Sequence, residues 1–165
     1  MSELKTFHEL FAYSDRCNRL VFAAAGELDD ARLDQPIEIS VGTLRRLLHH
    51  LYTGESVWLQ RWMGVVEARW PGECGQTPVG EIASMIARNA ADRDAFVATL
   101  TEVKLDGVQT YRDSKGSLFR GTLRQMLIQG IVHSIHHRAQ IVNAIRRLGG
   151  KPPELDFMMS VRERV

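Results

Sequence analysis

The chain has 165 residues, of which 44% are apolar and 25% are charged, and its formal net charge is +1. This composition is ordinary for a globular domain, and the near-neutral charge argues against a broad electrostatic footprint for nucleic acids or anionic membranes. The length favours one domain over residues 1–165, and no apolar run approaches the roughly 20 residues that span a bilayer.

The cysteines and the N-terminal residues indicate a reducing compartment. Cys17 and Cys74 are far apart and belong to no CxxC motif, so they imply no disulfide framework. The first residues contain neither an apolar segment nor a cleavage site of the secretory type. We therefore expect a cytoplasmic protein in which both cysteines are structural.

The first predicted helix begins at Ser2 or Thr6, because either residue can cap it, and ends near Leu28. Its apolar residues recur at helical spacing and form one stripe: Leu10, Tyr13, Cys17, Leu20 and Ala24. The segment 29–42 contains Pro36, which disfavours helix at the preceding residue, and is predicted to be a loop.

The second predicted helix runs from about Thr43 to about Val66. Its buried side consists of Leu44, Leu47, Leu48, Leu51 and Trp58. A loop over residues 69–78 follows, and a third helix opens at Pro78 with Thr77 as its N-cap. Apolar residues lie near one face of this third helix: Ile82, Met85, Ile86, Phe96 and Leu100.

The sequence VQTYRDSKGSLFRG, residues 108–121, predicts two short strands around a turn at Gly116. Thr122 and Gln125 have capping-box spacing at the start of a fourth helix, which two glycines and two prolines terminate after residue 148. The predicted fold is therefore an all-α bundle of about four helices with a short β-hairpin before the last helix.

Two histidines of the fourth helix can share one metal ion. His133 and His137 are four residues apart, which places their side chains on one helical face about 5–6 Å apart at Cβ. Imidazole nitrogens can then converge on an ion at roughly 2.0–2.1 Å. His136, three residues after His133, is a competing partner that local geometry does not exclude.

A third ligand must come from another element, and the second helix offers His49 and His50. His50 lies next to Leu51 on the apolar side, whereas His49 points about 100° away. Three neutral imidazoles leave open coordination positions, which is typical of catalytic sites. The alternative is that His133 is a hydrogen-bonded core residue and His137 a surface residue; His8 and His136 are expected to face solvent.

Two glycines flank the histidines at one helical turn. Gly54 follows His50 and Gly130 precedes His133, and each costs about 1 kcal/mol relative to alanine within a helix. One interpretation is that they leave open space for a ligand above the metal. The other is close approach of two helices.

Three segments carry a family resemblance. HSIHHRAQIVNAIRRLGGKPPELDFM, residues 133–158, is similar to the HxxxHRxQ helix and LG-x-x-PP-x-x-D tail of the DinB/YfiT-like superfamily. Residues 43–62 resemble the family helix in which an acidic residue and a tryptophan follow a histidine. Residues 111–127 resemble the strand–turn–strand that leads into the last helix, and the first helix matches more weakly around Asn18.

The resemblance implies a four-helix bundle whose metal ligands are His50, His133 and His137, with an open coordination position and commonly a homodimer. Some family members look like thiol-dependent transferases that act on small electrophiles, and a related branch isomerises maleylpyruvate. The family name refers to induction by DNA damage and implies no contact with DNA.

These observations predict a divalent-metal-dependent enzyme that acts on a small molecule, as a thiol-dependent S-transferase or a hydrolase. The metal is expected to be zinc, nickel or iron, with a low-molecular-weight thiol as a further candidate cofactor. The rival hypothesis is a non-catalytic, dimeric, metal-binding stress-response protein, in which Trp58 and Trp62 form the interface rather than core.

Helical geometry predicts the places of other polar residues. Gln140 lies about 20° from His133, so it can support the site or contact substrate, or it can be a buried amide; Asn18 has the same two interpretations. Glu55 is about 140° from His50 and is not expected to join the site. Arg138 is expected to form a salt bridge between helices.

Overall fold

Four long helices dominate the computed structural model, which describes residues 2–38 and 41–163. They are α1 (Glu3–Gly26), α3 (Leu44–Trp62), α4 (Val79–Val97) and α6 (Leu123–Arg147). Three one-turn helices lie between or after them: α2 (Asp30–Leu33), α5 (Glu102–Leu105) and α7 (Met158–Val161). The predicted four-helix bundle is confirmed.

The helices pack in a closed ring in which α6 contacts α1 and α3, and α4 contacts the same two helices from the other side. The indole Nε1 of Trp62, at the end of α3, donates to the Met126 carbonyl near the start of α6 at 2.9 Å. His50, near the start of α3, lies beside His137 in the second half of α6. Helices α3 and α6 therefore run antiparallel.

The apolar core has two parts that occupy opposite ends of the bundle. One cluster contains Leu47, Leu51, Ile82 and Ile141, and the other contains Phe11, Leu59, Leu127 and Ile131. Burial of such side chains is worth about 1.5–3 kcal/mol each. Between the clusters the helices turn polar residues inward, and this middle level is where the histidines lie.

The predicted hairpin is present as β1 (Val108–Arg112) and β2 (Leu118–Thr122), paired antiparallel with Tyr111 opposite Phe119. Gly116 takes the left-handed conformation with φ +83°, as the turn requires. The Tyr111 ring lies 5.6 Å from the ring of Trp58. This contact packs the hairpin on the outside of α3, which supplies the support that an isolated hairpin lacks.

Some predicted boundaries were wrong. Helix α3 ends at Trp62 rather than near Val66, because Gly64 adopts φ +87° and the Val65 N–H bonds back to the Gln60 carbonyl. The N-cap of α4 is Pro78 rather than Thr77, whose hydroxyl instead donates to the Cys74 carbonyl at 2.6 Å.

The buried stripe of α1 is rotated from the predicted one. Of the predicted residues only Cys17 is fully buried, and the inward residues are Phe7, Phe11, Ser14, Cys17, Asn18, Val21, Phe22 and Ala25. Ser14 and Asn18 face inward because Arg138 of α6 donates hydrogen bonds to both. Apolar periodicity alone could not find a stripe that contains polar residues.

The other sequence features fall into ordinary structural roles. Cys17 and Cys74 are free and buried, and burial raises the pKa of the Cys74 thiol, which keeps it protonated near neutral pH. Arg45 is buried in an ion pair with Asp34. Within residues 2–38 and 41–163, we find no helix with the length and apolar character that crossing a membrane requires.

The capping box of α6 yields a stability prediction. The Thr122 hydroxyl accepts from the Gln125 N–H, and the Gln125 side chain accepts from the Thr122 N–H. We expect Thr122→Ala to lower the free energy of unfolding by roughly 1 kcal/mol, measured by urea denaturation. The control is Thr101→Ala at α5, where the threonine makes no capping bond; an equal loss there would contradict the assignment.

Candidate metal centre

Three imidazoles from two helices meet at the middle level of the bundle. The ring centroid of His137 lies 4.5 Å from that of His50 and 4.4 Å from that of His133, and the His50 and His133 centroids are 5.8 Å apart. One ring nitrogen of each lies within 4.8 Å of the other two. The antiparallel contact of α3 and α6 thus unites residues that are more than 80 positions apart in sequence.

The remaining histidines are kept out of the group by helical geometry. His49 is buried on another side of α3, where its ring packs 5.8 Å from Tyr52 and its Nδ1 lies 3.4 Å from the Thr53 hydroxyl. His136 and His8 are exposed. The open choice between His136 and His137 is therefore decided by α3, which faces the His137 side of α6.

The protonation state of the three imidazoles suits the binding of a metal ion. Burial, together with the neighbouring rings of His137 and His50, lowers the pKa of His133 to about 4. Burial also lowers the pKa values of His50 and His137. All three rings are therefore neutral at pH 7, and the neutral imidazole is the form whose free nitrogen lone pair binds metals.

A buried nitrogen without a hydrogen-bond partner is also consistent with a bound ion. Nδ1 of His133 is buried and has no hydrogen-bond partner among the described residues, whereas buried polar atoms in proteins are nearly always partnered. An ion shared with the two facing imidazoles would give the His133 ring a partner for its lone pair. The three rings have the donor type that zinc, nickel and iron accept.

Gln140 orients one of the three rings. Its Oε1 lies 2.9 Å from Nδ1 of His137, and its Nε2 lies 3.1 Å from Nε2 of His136. In this arrangement the His137 Nδ1 carries the hydrogen and donates it to Gln140, which leaves the lone pair on Nε2. Partners of this kind hold ligating histidines in position in metal sites.

Asn18 is a buried amide that hydrogen-bonds to other polar residues of the bundle interior. Its Nδ2 donates to Glu55 at 3.0 Å and its Oδ1 accepts from Arg138 at 3.0 Å. None of the hydrogen bonds found for Asn18 in the described part of the chain reaches the three histidines. The residue lies on the α1 side of α6, whereas the histidines lie on the α3 side.

The two glycines mark close contacts and not open space. A Cβ atom on Gly54 would lie 2.1 Å from Cε1 of His133, and a Cβ atom on Gly130 would lie 2.4 Å from Cζ2 of Trp62. The interpretation that they leave room for a ligand is therefore wrong. Gly54 instead lets the Cε1 edge of the His133 ring approach the backbone of α3 closely.

A group of polar residues that we call the polar layer lies behind the histidines: Ser14, Asn18, Glu55, Ser134 and Arg138. Glu55 was expected to lie outside the metal group and does, and Arg138 links helices as expected. Ser14 and Ser134 were missed, because a serine inside an apolar stripe gives no signal in a single sequence.

The histidines do not line the cavity between α1 and α4. That cavity has a volume of about 670 Å³, and Phe22, Ala83 and Ile86 are among its lining residues. His50 and His133 are half-buried. A ligand would therefore reach the site from the α3–α6 surface.

Fold and site together define a four-helix bundle that presents three histidines on two neighbouring helices. The sequence model of the DinB family matches residues 1–164, and the chain therefore belongs to the DinB family. A search of curated proteins gave no significant match.

Solved structures share the fold. A DinB-like protein from Bacillus cereus is 23% identical, with a TM-score of 0.65 over 91% of this chain and 95% of that chain. YfiT from Bacillus subtilis, described as a probable metal-dependent hydrolase with an unusual four-helix bundle topology, is 18% identical, with a TM-score of 0.66 over 90% of each chain. A second DinB-like protein from Bacillus subtilis is 17% identical, with a TM-score of 0.65 over 89% of this chain and 97% of that chain.

The contact between Gly54 and His133 can be tested by adding one methyl group. We expect Gly54→Ala to lower the free energy of unfolding, because overpacking costs roughly 1–3 kcal/mol and exceeds the gain of about 1 kcal/mol in helix propensity. The matched control is Gly80→Ala in α4, where a Cβ atom meets nothing within 4 Å and stability should rise. Urea denaturation measures both, and a Gly54→Ala protein more stable than wild type would refute the contact.

The lowered pKa of His133 predicts acid sensitivity of the metal-free protein. An unfolded histidine takes up its proton near pH 6.5, whereas folded His133 does so only near pH 4. In this window the unfolded state binds more protons, so the stability contributed by His133 is complete above pH 6.5 and is lost as the pH falls towards 4. Urea denaturation of chelator-treated protein should show a shallower pH dependence for His133→Leu than for wild type. An imidazole NMR titration of His133 centred near pH 6.5 would contradict this account.

Proposed function

We propose that this protein is a divalent-metal-dependent enzyme whose metal ion is held by His50, His133 and His137. The observation that carries the proposal is the convergence of one ring nitrogen from each histidine within 4.8 Å. The description of YfiT, a protein of the same fold, as a probable metal-dependent hydrolase supports it.

The donor set favours a catalytic site over a structural one. Structural zinc sites are closed by four protein ligands, whereas three protein ligands leave a position for an exogenous molecule. An ion bound there supplies Lewis acidity and lowers the pKa of water or of a thiol that it binds. The half-buried rings of His50 and His133 leave the site accessible to a small-molecule substrate.

The chain's own residues supply position and protonation state. Gln140 holds the His137 ring through its Nδ1, and Gly54 gives the His133 ring its place against α3. Burial keeps all three imidazoles neutral at pH 7. Zinc, nickel and iron all suit this donor set, whereas magnesium and calcium prefer oxygen ligands.

Two reactions suit such an ion. One is hydrolysis of a small molecule, in line with the description of YfiT. The other is transfer of a low-molecular-weight thiol to a small electrophile, since the thiolate is the reactive form of a thiol and metal binding favours it. Activity assays with each class of substrate distinguish the two reactions.

Elemental analysis of protein purified without a histidine tag tests the proposal. We expect near-stoichiometric zinc, nickel or iron in the wild type, and its loss in His50→Ala, His133→Ala and His137→Ala with the helical circular dichroism retained. The matched controls are His49→Ala and His136→Ala, which remove neighbouring imidazoles outside the group and should leave metal binding intact.

Two results would contradict the proposal. Absence of metal after reloading with zinc, nickel and iron would exclude a metal-dependent enzyme. Stoichiometric metal without turnover of ester, amide or thiol-plus-electrophile substrates would instead favour a non-catalytic, metal-binding stress protein. That protein is expected to be a homodimer, which analytical sedimentation can detect.

A further inference from the structure

The polar layer separates the two apolar clusters at the level of the histidines. On α1 it lies between Phe11 and Val21, on α3 between Leu51 and Leu59, and on α6 between Ile131 and Ile141. Its centre is the carboxylate of Glu55, whose side chain is 10% exposed. A buried carboxylate is costly unless donors surround it, so its partners should indicate why it is there.

Donors from two other helices converge on one oxygen of Glu55. Oε1 accepts from the Asn18 amide of α1 at 3.0 Å and from the Ser134 hydroxyl of α6 at 3.0 Å. The guanidinium of Arg138, 2% exposed, lies 4.0 Å away and balances the charge. Arg138 also donates to Ser14 at 2.6 Å and to Asn18 at 3.0 Å, which closes the network on α1.

The network is adjacent in sequence to the metal group on both helices. Glu55 directly follows Gly54, and Ser134 directly follows His133. The Glu55–Ser134 hydrogen bond therefore joins α3 to α6 beside the contact between Gly54 and the His133 ring. Glu55 and Ser134 face the bundle interior, whereas Gly54 and His133, which precede them, lie on the side of the three histidines.

Apolar packing alone specifies helix register weakly. It is non-directional, and a slip of α6 by one turn would move its histidines by about 5.4 Å relative to His50. A buried hydrogen bond is directional, and leaving its donors and acceptor unpaired lowers stability. Single buried polar residues set register in helical assemblies for this reason.

We propose that Glu55 is a positioning residue: its carboxylate fixes the register of α6 on α3 and so aligns His133 and His137 with His50. The inference rests on the proposed metal site for its functional consequence, but the alignment of the rings is a property of the metal-free protein. None of the hydrogen bonds found for Glu55 among the described residues reaches the three imidazoles, so it acts through Ser134 and Gly54.

The first experiment measures ring alignment in metal-free protein by NMR. The wild type should show a nuclear Overhauser effect between the rings of His50 and His137, whose centroids are 4.5 Å apart. Glu55→Gln, which keeps an acceptor oxygen, should retain it. Glu55→Met, which fills the same space without an acceptor, should lose it while remaining helical. Retention in Glu55→Met would overturn the inference whether or not the protein binds metal.

The second experiment measures zinc affinity by chelator competition. We expect Glu55→Met to bind zinc about 10- to 100-fold more weakly than wild type, as is typical for loss of supporting residues around a metal, and Glu55→Gln to stay within a few-fold. The matched control is Asp34→Asn, which removes a carboxylate from the buried Arg45 at the start of α3 and should leave zinc affinity unchanged although it weakens a buried ion pair.

The outcomes separate the two proposals. Equal zinc affinity in Glu55→Met and wild type, or an equal loss in Asp34→Asn, would show that Glu55 contributes only general stability. A wild type that binds no metal would refute the proposed function, and the ring contacts of the metal-free proteins would still decide the role of Glu55.

Discussion

The antiparallel packing of α3 against α6 is the contact on which the rest of this structure depends. It places His50 beside His137, Gly54 beside His133, and Trp62 beside Gly130. Each of these contacts requires the same register between the two helices. The three histidines come together only in that register, since neither helix carries more than two of them.

The register is set by a mixture of apolar and polar contacts. Apolar clusters at both ends of the bundle supply most of the burial, whereas the polar layer between them supplies direction. The layer is an expensive feature, because it buries a carboxylate, a guanidinium and an amide where aliphatic side chains would pack more favourably. Gly54 also lowers stability, since a glycine weakens the middle of a helix. Departures from ideal local design such as these are expected at functional sites.

The electrostatics of the site follow from the same arrangement. Burial keeps the imidazoles neutral, and the Gln140 amide selects which nitrogen of His137 is free. Glu55 and Arg138 face each other in the polar layer, and no carboxylate joins the three imidazoles within the described residues. Membership of the DinB family and the likeness to YfiT agree with the four-helix fold.

Much of this protein was determined by local sequence. The capping box at Thr122, the hairpin turn at Gly116 and the choice of His50 over His49 all follow from interactions within a few residues, which helical or strand periodicity describes. The apolar stripe of α1 and the N-cap of α4 were predicted wrongly, and for Gly54 the sequence left open space and close helix approach as alternatives, between which the structure decided.

These features depend on residues that only the tertiary structure brings together. Ser14 and Asn18 face inward because Arg138 meets them from α6, and Gly54 is a glycine because an imidazole from another helix lies on it. The periodicity of an element determines which side chains share a face. Which face meets which, and at what register, is decided by packing and buried hydrogen bonds between elements distant in sequence.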